Sequence, residues 1–178
     1  MVGCMTRIDS RETYKSFLSA DRAALGAVGK SAWLLDDIWR FQRSLRRVEY
    51  VTNTGKPLPV RLVARLRLRR LGRRLGFSIP PNVFGPGLSI AHYGTIVVNG
   101  GARVGANCRI HVDVVLGTAA GEHDAAPTIG DDAYIGPGAK IFGPITLGDR
   151  ARVGANAVVT KSFPEADMTL VGVPARVV

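Results

Sequence analysis

Three histidines, His92, His111 and His123, hold most of the chemistry this chain could perform. An unperturbed imidazole changes charge near neutral pH, so it can take a proton from a hydroxyl and later return it to a leaving group. Asp113, two positions beyond His111, is a candidate partner for either that ring or His92. His123 and Asp124 share a small polar segment, where they are candidates for contact with an acceptor. Ala91 and Tyr93 flank His92 and complete the acceptor-side candidates. Histidines scattered this widely lack metal-ligand spacing, so no metal is expected. On residue chemistry alone, His92 reads equally as a general base and as a structural histidine hydrogen-bonded at a turn.

The element that must position these residues announces itself by a six-residue beat. Ile129, Ile135, Ile141, Leu147, Val153 and Val159 are spaced by six. Four residues after each come Ala133, Ala139, Ile145, Ala151, Ala157 and, out of pattern, Phe163. Upstream the beat runs through Val98, Val104, Ile110 and Leu116, with Ala102, Cys108 and Val114 as partners. This period fits neither a helix nor an alternating strand. It belongs to a chain that turns a corner every six residues and stacks aliphatic side chains inside a prism. Three hexapeptides make a coil of about 18 residues, with coils roughly 4.8 Å apart, and the span from Ile79 to Phe163 makes nearly five. Counting back six from Val98 lands on His92, where an aliphatic residue is due, and a break of this kind is expected at a functional position. His111 falls one coil on from His92, displaced by a single position, so the two imidazoles are expected to lie close together. The interval from Leu116 to Ile129 is one position longer than two periods. The small, polar stretch from Thr118 to Pro127 is therefore read as a loop thrown out from a corner.

At 178 residues and 46% hydrophobic, the chain can bury one sizeable core with an appendage. No apolar run is long enough to span a membrane and no signal-peptide pattern opens the chain, so a cytoplasmic location is expected. Two cysteines, Cys4 and Cys108, make no disulfide framework, and Cys108 falls on an interior position.

Charge is concentrated at the front. Residues 1–78 hold 17 Lys or Arg against 6 Asp or Glu, and residues 79–178 hold 7 against 8. The basic part reads as helical, with a start capped by Ser10, a helix over Ala32–Val51 carrying Trp33, and another over Val60–Leu75 with seven arginines. The arginine run is read first as a solvated face, then as contact with an anionic substrate or membrane surface, and last as nucleic-acid binding. No nucleic-acid motif accompanies it, and the helix shows no clean apolar stripe. The domains are thus a basic α-helical section, 1–78, and a mainly β domain, 79–178.

The repeat region resembles the hexapeptide-repeat acyltransferases, and within them the serine acetyltransferase branch. The resemblance rests on Ile90-Ala-His92, Ile96-Val-Val98, Val114-Val-Leu-Gly117, Ile135 to Gly143, Val153 to Val159 and Gly172-Val-Pro-Ala-Arg176. It implies a left-handed parallel β-helix followed by a C-terminal segment, assembly into homotrimers, possible pairing of trimers through the helices, and active sites between neighbouring prisms. It also implies that His92 is the general base of direct acetyl transfer from acetyl-CoA. A CoA groove is implied along Gly117-Thr118, Gly136-Pro137 and Gly154-Ala155, with Lys161 and Arg176 as candidates for the CoA phosphates. Where the branch has Gly and Ala, this chain has Thr118 and Pro137.

The acceptor groups of the branch are missing. Ala91 stands where it has an Asp before the catalytic His, Ser78 nearest to its orienting Asp, and Ala125-Ala126 where it has an Arg-His pair. A serine zwitterion would lose its charged partners there. Asp36–Gln42 and the stretch from Phe77 to Gly94 resemble a sub-branch associated with polysaccharide biosynthesis. The expectation is an acetyl-CoA-dependent O-acetyltransferase acting on a sugar or glycan precursor. The alternatives are a serine O-acetyltransferase of cysteine biosynthesis and, from another class, a non-catalytic β-solenoid scaffold.

Overall fold

A computed structural model describes residues 7–26, 36–119 and 125–178. Helix α1, Arg11–Ala24, begins with a reciprocal cap: Ser10 Oγ accepts from the Thr13 N–H at 3.1 Å, and Thr13 Oγ1 accepts from the Ser10 N–H at 3.0 Å. Helix α2, Asp37–Asn53, starts later than sequence spacing suggests, because the Asp36 carboxylate accepts from the Ile38 and Trp39 N–H groups at 2.9 and 3.1 Å. The expected start at Ala32, with Trp33, lies outside the described residues. Helix α3, Leu58–Leu75, places Arg73 and Arg74 in its last turn, and Gly76 ends it in the left-handed region at φ 82°.

From Phe77 the chain coils into three stacked parallel faces. The first face holds Phe77–Ser78, Ile96–Val98, Val114–Gly117, Lys140–Phe142 and Val158–Val159. The second holds Arg103–Val104, Thr128–Ile129 and Thr146–Leu147, extended by bridges from Phe84 and Phe163. The third holds Ser89–Ile90, Arg109–Ile110, Tyr134–Ile135, Arg152–Val153 and Thr169–Val171, closed by the antiparallel Arg176–Val177. The fold is a left-handed β-helix behind a helical section.

Register assigns every ladder residue to a face. Val98, Leu116, Ile141 and Val159 stack inside the first, and Ile90, Ile110, Ile135, Val153 and Leu170 inside the third. All of these are buried, as are Ala102, Cys108, Val114, Ala133, Ala139, Ile145, Ala151 and Ala157. Phe163, out of pattern in the sequence, takes the second-face slot beneath Leu147. Burial pushes the Cys108 thiol up to about 12, so it is an inert filler.

Two counts made along the sequence need correction. Ile90, not His92, holds the interior slot before Val98, and that step is two positions longer than the equivalent step from Ile110 to Leu116. Leu116 to Ile129 is a single step from first to second face, more than twice as long as the equivalent step from Val98 to Val104, so the surplus is larger than the one residue counted and falls at one corner, where the sequence reading put it. Residues 120–124, with His123 and Asp124, lie outside the described residues. Corner length can vary freely, whereas the stacking of rungs cannot.

The helices cover the open end of the prism. Ile38, Phe41, Leu45, Leu71 and Leu75 join its core, and the Phe41 and Phe77 rings meet edge to face at 5.0 Å. A fully buried arginine pins them there. Arg46 donates to Asp21 at 2.8 and 3.1 Å, to Glu49 at 3.0 Å, and to the Phe84 and Gly85 carbonyls at 2.9 and 2.6 Å. Those five contacts match the five N–H groups of a guanidinium. Asp21 also accepts from the Gly87 and Leu88 N–H groups, and Glu49 from that of Asn82. Burial alone would lower the Arg46 pKa, but Glu49 and Asp21 outweigh it and hold the group above its ordinary value. Removing the cation strands two buried carboxylates. Arg46→Met is therefore expected to lower unfolding free energy by about 3–5 kcal/mol in urea titrations; a loss below about 1 kcal/mol would show that the network does not hold the helices in place.

Candidate active site

The corner between third and first faces is three residues long in the regular coils. His111-Val112-Asp113, Gly136-Pro137-Gly138 and Gly154-Ala155-Asn156 fill it in succession. In the first coil it is five residues, Ala91-His92-Tyr93-Gly94-Thr95, lying between Ile90 and Ile96. The two additional residues have nowhere to go but outward, so His92 and Tyr93 are exposed. Both ends of the bulge are fastened. The Ala91 N–H donates to the Ile110 carbonyl at 3.0 Å, and the Gly94 N–H to the Leu75 carbonyl at 3.0 Å, where α3 ends. Gly94 sits at φ 126°, and a Cβ there would lie 2.4 Å from Val112 Cγ2, so a larger residue would displace the corner.

One coil on, His111 brings a second imidazole to the same corner. Its ring centre is 6.0 Å from that of His92 and 5.0 Å from that of Tyr134. The expectation from coil length that these two histidines approach each other is met in this geometry. Nε2 of His111 is buried and has no hydrogen-bond partner within the protein, which leaves a polar atom to be satisfied by whatever occupies the site. Burial, then Arg109, then His92 depress its pKa below the ordinary 6.5, so His111 stays neutral where a free imidazole would begin to charge.

Asp113 does not partner either imidazole. Its carboxylate pairs with Lys140 Nζ at 3.0 Å, and the same ammonium donates to the Asp113 carbonyl. The left-handed backbone of Asp113, φ 60°, accompanies this arrangement. Among the described residues no carboxylate hydrogen-bonds to His92 or His111. Ser78 is exposed on the first face, paired with Val97, and no group of three His, Cys, Asp or Glu comes together among the described residues.

The expected coenzyme positions divide between two corners. Gly136-Pro137 and Gly154-Ala155 lie below His92 and His111. Beside them Tyr134, Arg152, Val153, Gly154 and Thr169 line a groove of about 410 Å³. Gly117 instead ends a first-face strand, and Thr118 and Lys161 follow first-face strands, one face-width away, toward the corner leading to the second face. Phe142 packs against Gly117 so closely that a Cβ there would fall 2.7 Å from its ring. Arg176 is exposed on the last rung of the third face. Sequence reasoning missed Tyr134, Arg109, Arg152 and Lys140. The first three occupy the outward position just before a third-face ladder residue, a column visible only once hexapeptides are sorted by face.

Residues 126–161 match a family model described as bacterial transferase hexapeptide (six repeats). The chain is similar to a serine acetyltransferase of Mycobacterium tuberculosis, 38% identical over 122 residues that cover 66% of this chain and 52% of that protein. Among solved structures, soybean serine acetyltransferase without ligand superposes with a TM-score of 0.79 at 32% identity, covering 94% of this chain and 69% of the other. Serine acetyltransferase from Brucella abortus in complex with coenzyme A superposes with a TM-score of 0.71 at 26% identity, covering 94% and 66%. The chain spans about half the length of the curated relatives it matches.

The two clustered imidazoles give a pH test. In histidine-resolved NMR titrations, His111 is expected to protonate below 6.5, and Arg109→Gln to move its midpoint upward, since a like charge is removed. A wild-type midpoint above 6.5, or no upward movement in the variant, contradicts the arrangement.

Proposed function

We propose an acyl-transfer reaction from one premise: this chain belongs to the hexapeptide-repeat transferase family, among the relatives of the serine acetyltransferases. It is read as an acetyl-CoA-dependent O-acetyltransferase in which His92 is the general base. The observation that carries this reading is the lengthened corner, which lifts an imidazole out of the prism wall above a groove leading away along the same edge. The relative solved with coenzyme A supports the choice of donor.

When bound, acetyl-CoA supplies an activated acetyl group as a thioester. The groove suits an extended arm, since Gly154 keeps one wall low and Arg152 offers a cation for anionic groups. His92 accepts the proton of the acceptor hydroxyl as the hydroxyl oxygen bonds to the thioester carbonyl carbon. As the carbon–sulfur bond breaks, the imidazolium returns that proton to the sulfur. Corner N–H groups are the candidates for holding the oxyanion.

One prism cannot bring Gly117, Thr118 and Lys161 to His92, because they lie on another corner. A second prism against the first can, which supports a homotrimer with sites between neighbours. Pairing of trimers through the helices, and a cytoplasmic setting, belong to the same reading.

Serine is the acceptor that the names of the relatives favour. A sugar or glycan-precursor hydroxyl stays as second reading on a specific observation: Ala91, Ala125 and Ala126 are uncharged, and Asp113 is engaged by Lys140. The described part of the corner thus holds no free carboxylate for an ammonium group. A non-catalytic scaffold, by contrast, has no use for an outward imidazole on a lengthened corner.

The test is CoA release with L-serine and with a panel of sugars and sugar nucleotides. Serine is expected to turn over, and His92→Ala to lower kcat by ~10²–10⁴-fold with whichever acceptor works. Transfer to a sugar but not to serine selects the second reading. An unchanged rate in His92→Ala sinks the role given to His92, and the absence of both transfer and acetyl-CoA binding favours the scaffold.

A further inference from the structure

Over its whole length α3 lacks a clean apolar stripe, as the sequence suggests, but its first turns carry an exposed apolar patch. Leu58, Leu62 and Leu66 recur at four-residue spacing and so share one side of the helix. They are 58%, 48% and 63% exposed, with Val63 beside them at 67%. The opposite side, Ala64, Leu71 and Leu75, is the one packed on the rest of the protein. Helical spacing continues the outward stripe into Arg69 and Arg73, flanked by Arg65 and Arg70, all exposed. The helix contains seven arginines and no acidic residue.

Two hollows open along another side of α3, where it meets α2, and both include Ala64 but none of the three leucines. One of about 280 Å³ is lined by Tyr14 and the arginines 40, 43, 47 and 67. The other, about 390 Å³, shares Arg47 and Arg67 but is floored by Pro59, Val60 and Val63. Arg40 is paired with Asp37 at 2.7 Å, and the guanidinium of Arg47 lies over the Tyr50 ring at 5.7 Å. A basic hollow thus adjoins an apolar one, and Val63 lies between them and the leucine side. This is the arrangement that suits an amphiphile with an anionic head.

We propose that the helical section docks α3 on an anionic lipid surface. Leu58, Leu62, Val63 and Leu66 enter the headgroup boundary, while Arg65, Arg69, Arg70 and Arg73 engage lipid phosphates. Charge decides the occupant. Residues 1–78 hold 17 Lys or Arg against 6 Asp or Glu, and polybasic segments are drawn to anionic leaflets. A second copy that laid α3 against α3 would oppose one arginine-rich helix with another and meet like-charge repulsion, so pairing of trimers uses other surfaces of the helical section. Apolar contact and charge attraction are both present, as durable interfacial binding requires. No helix among the described residues is long and apolar enough to cross a membrane, so the contact lies in the plane of the surface. This inference is independent of the acyl-transfer reading.

The test is co-sedimentation of the full chain with phosphatidylcholine vesicles, with and without phosphatidylglycerol. Binding is expected only to the anionic vesicles and is expected to weaken with salt. Arg69→Gln and Arg73→Gln should each weaken it about fivefold, and Leu62→Gln with Leu66→Gln should abolish what binding remains at high salt. Thermal melts check that the variants stay folded, and their acetyl transfer in solution should be unchanged. The proposal is overturned by absence of binding to anionic vesicles or by equal binding to neutral ones. It is likewise overturned if the leucine variants lower the mass seen by light scattering while leaving vesicle binding intact, which would assign the stripe to a second copy. Binding of inorganic phosphate without vesicle binding overturns it too.

Discussion

A rung of two or three residues cannot bury its own aliphatic side chain; it needs the rung above and the rung below. That constraint governs the whole molecule. It forces Ile90, Ile110, Ile135, Val153 and Leu170 into one column and holds every intervening corner in step with the next. It also leaves the first rung uncovered, and so requires a lid. Helices α2 and α3 supply that lid through Phe41, Leu45, Leu71 and Leu75. The Arg46 network then fixes its orientation by using the polar groups of residues 82–88, which no neighbouring rung satisfies on that side.

Because the rungs are fixed, chemistry is confined to the corners. Three residues suffice to turn from the third face to the first, and additional residues there project outward. His92 is presented by such a surplus. It stands beside a coil that contributes His111 and above coils whose corners are trimmed to Gly136 and Gly154. Tyr134 continues the edge from His111 into the groove. The backbone of the bulge meets the end of α3 at Leu75 and Gly76, so the helical lid and the candidate base share a boundary.

The repeat was legible because buried aliphatics and small partners recur with a period no other structure imposes. The cap at Ser10, the interior place of Cys108 and the approach of His92 to His111 were legible for the same reason, each being local or periodic. Legibility failed at irregular corners. Counting by six put His92 in a slot that Ile90 holds and found a single surplus residue after Leu116, although the loop from Thr118 to Pro127 was placed at one corner, as the register has it. It failed again for Asp113, whose partner Lys140 is 27 residues away.

Sequence alone thus determined the coil, its interior and the residue types able to do acid–base chemistry, since these depend on short-range period and side-chain character. Only the tertiary structure decided which residue each rung stacks upon, which carboxylate meets which cation, and which side of α3 is left open. Those outcomes depend on contacts between residues a full coil or more apart, and a corner of variable length separates distance along the chain from distance in space.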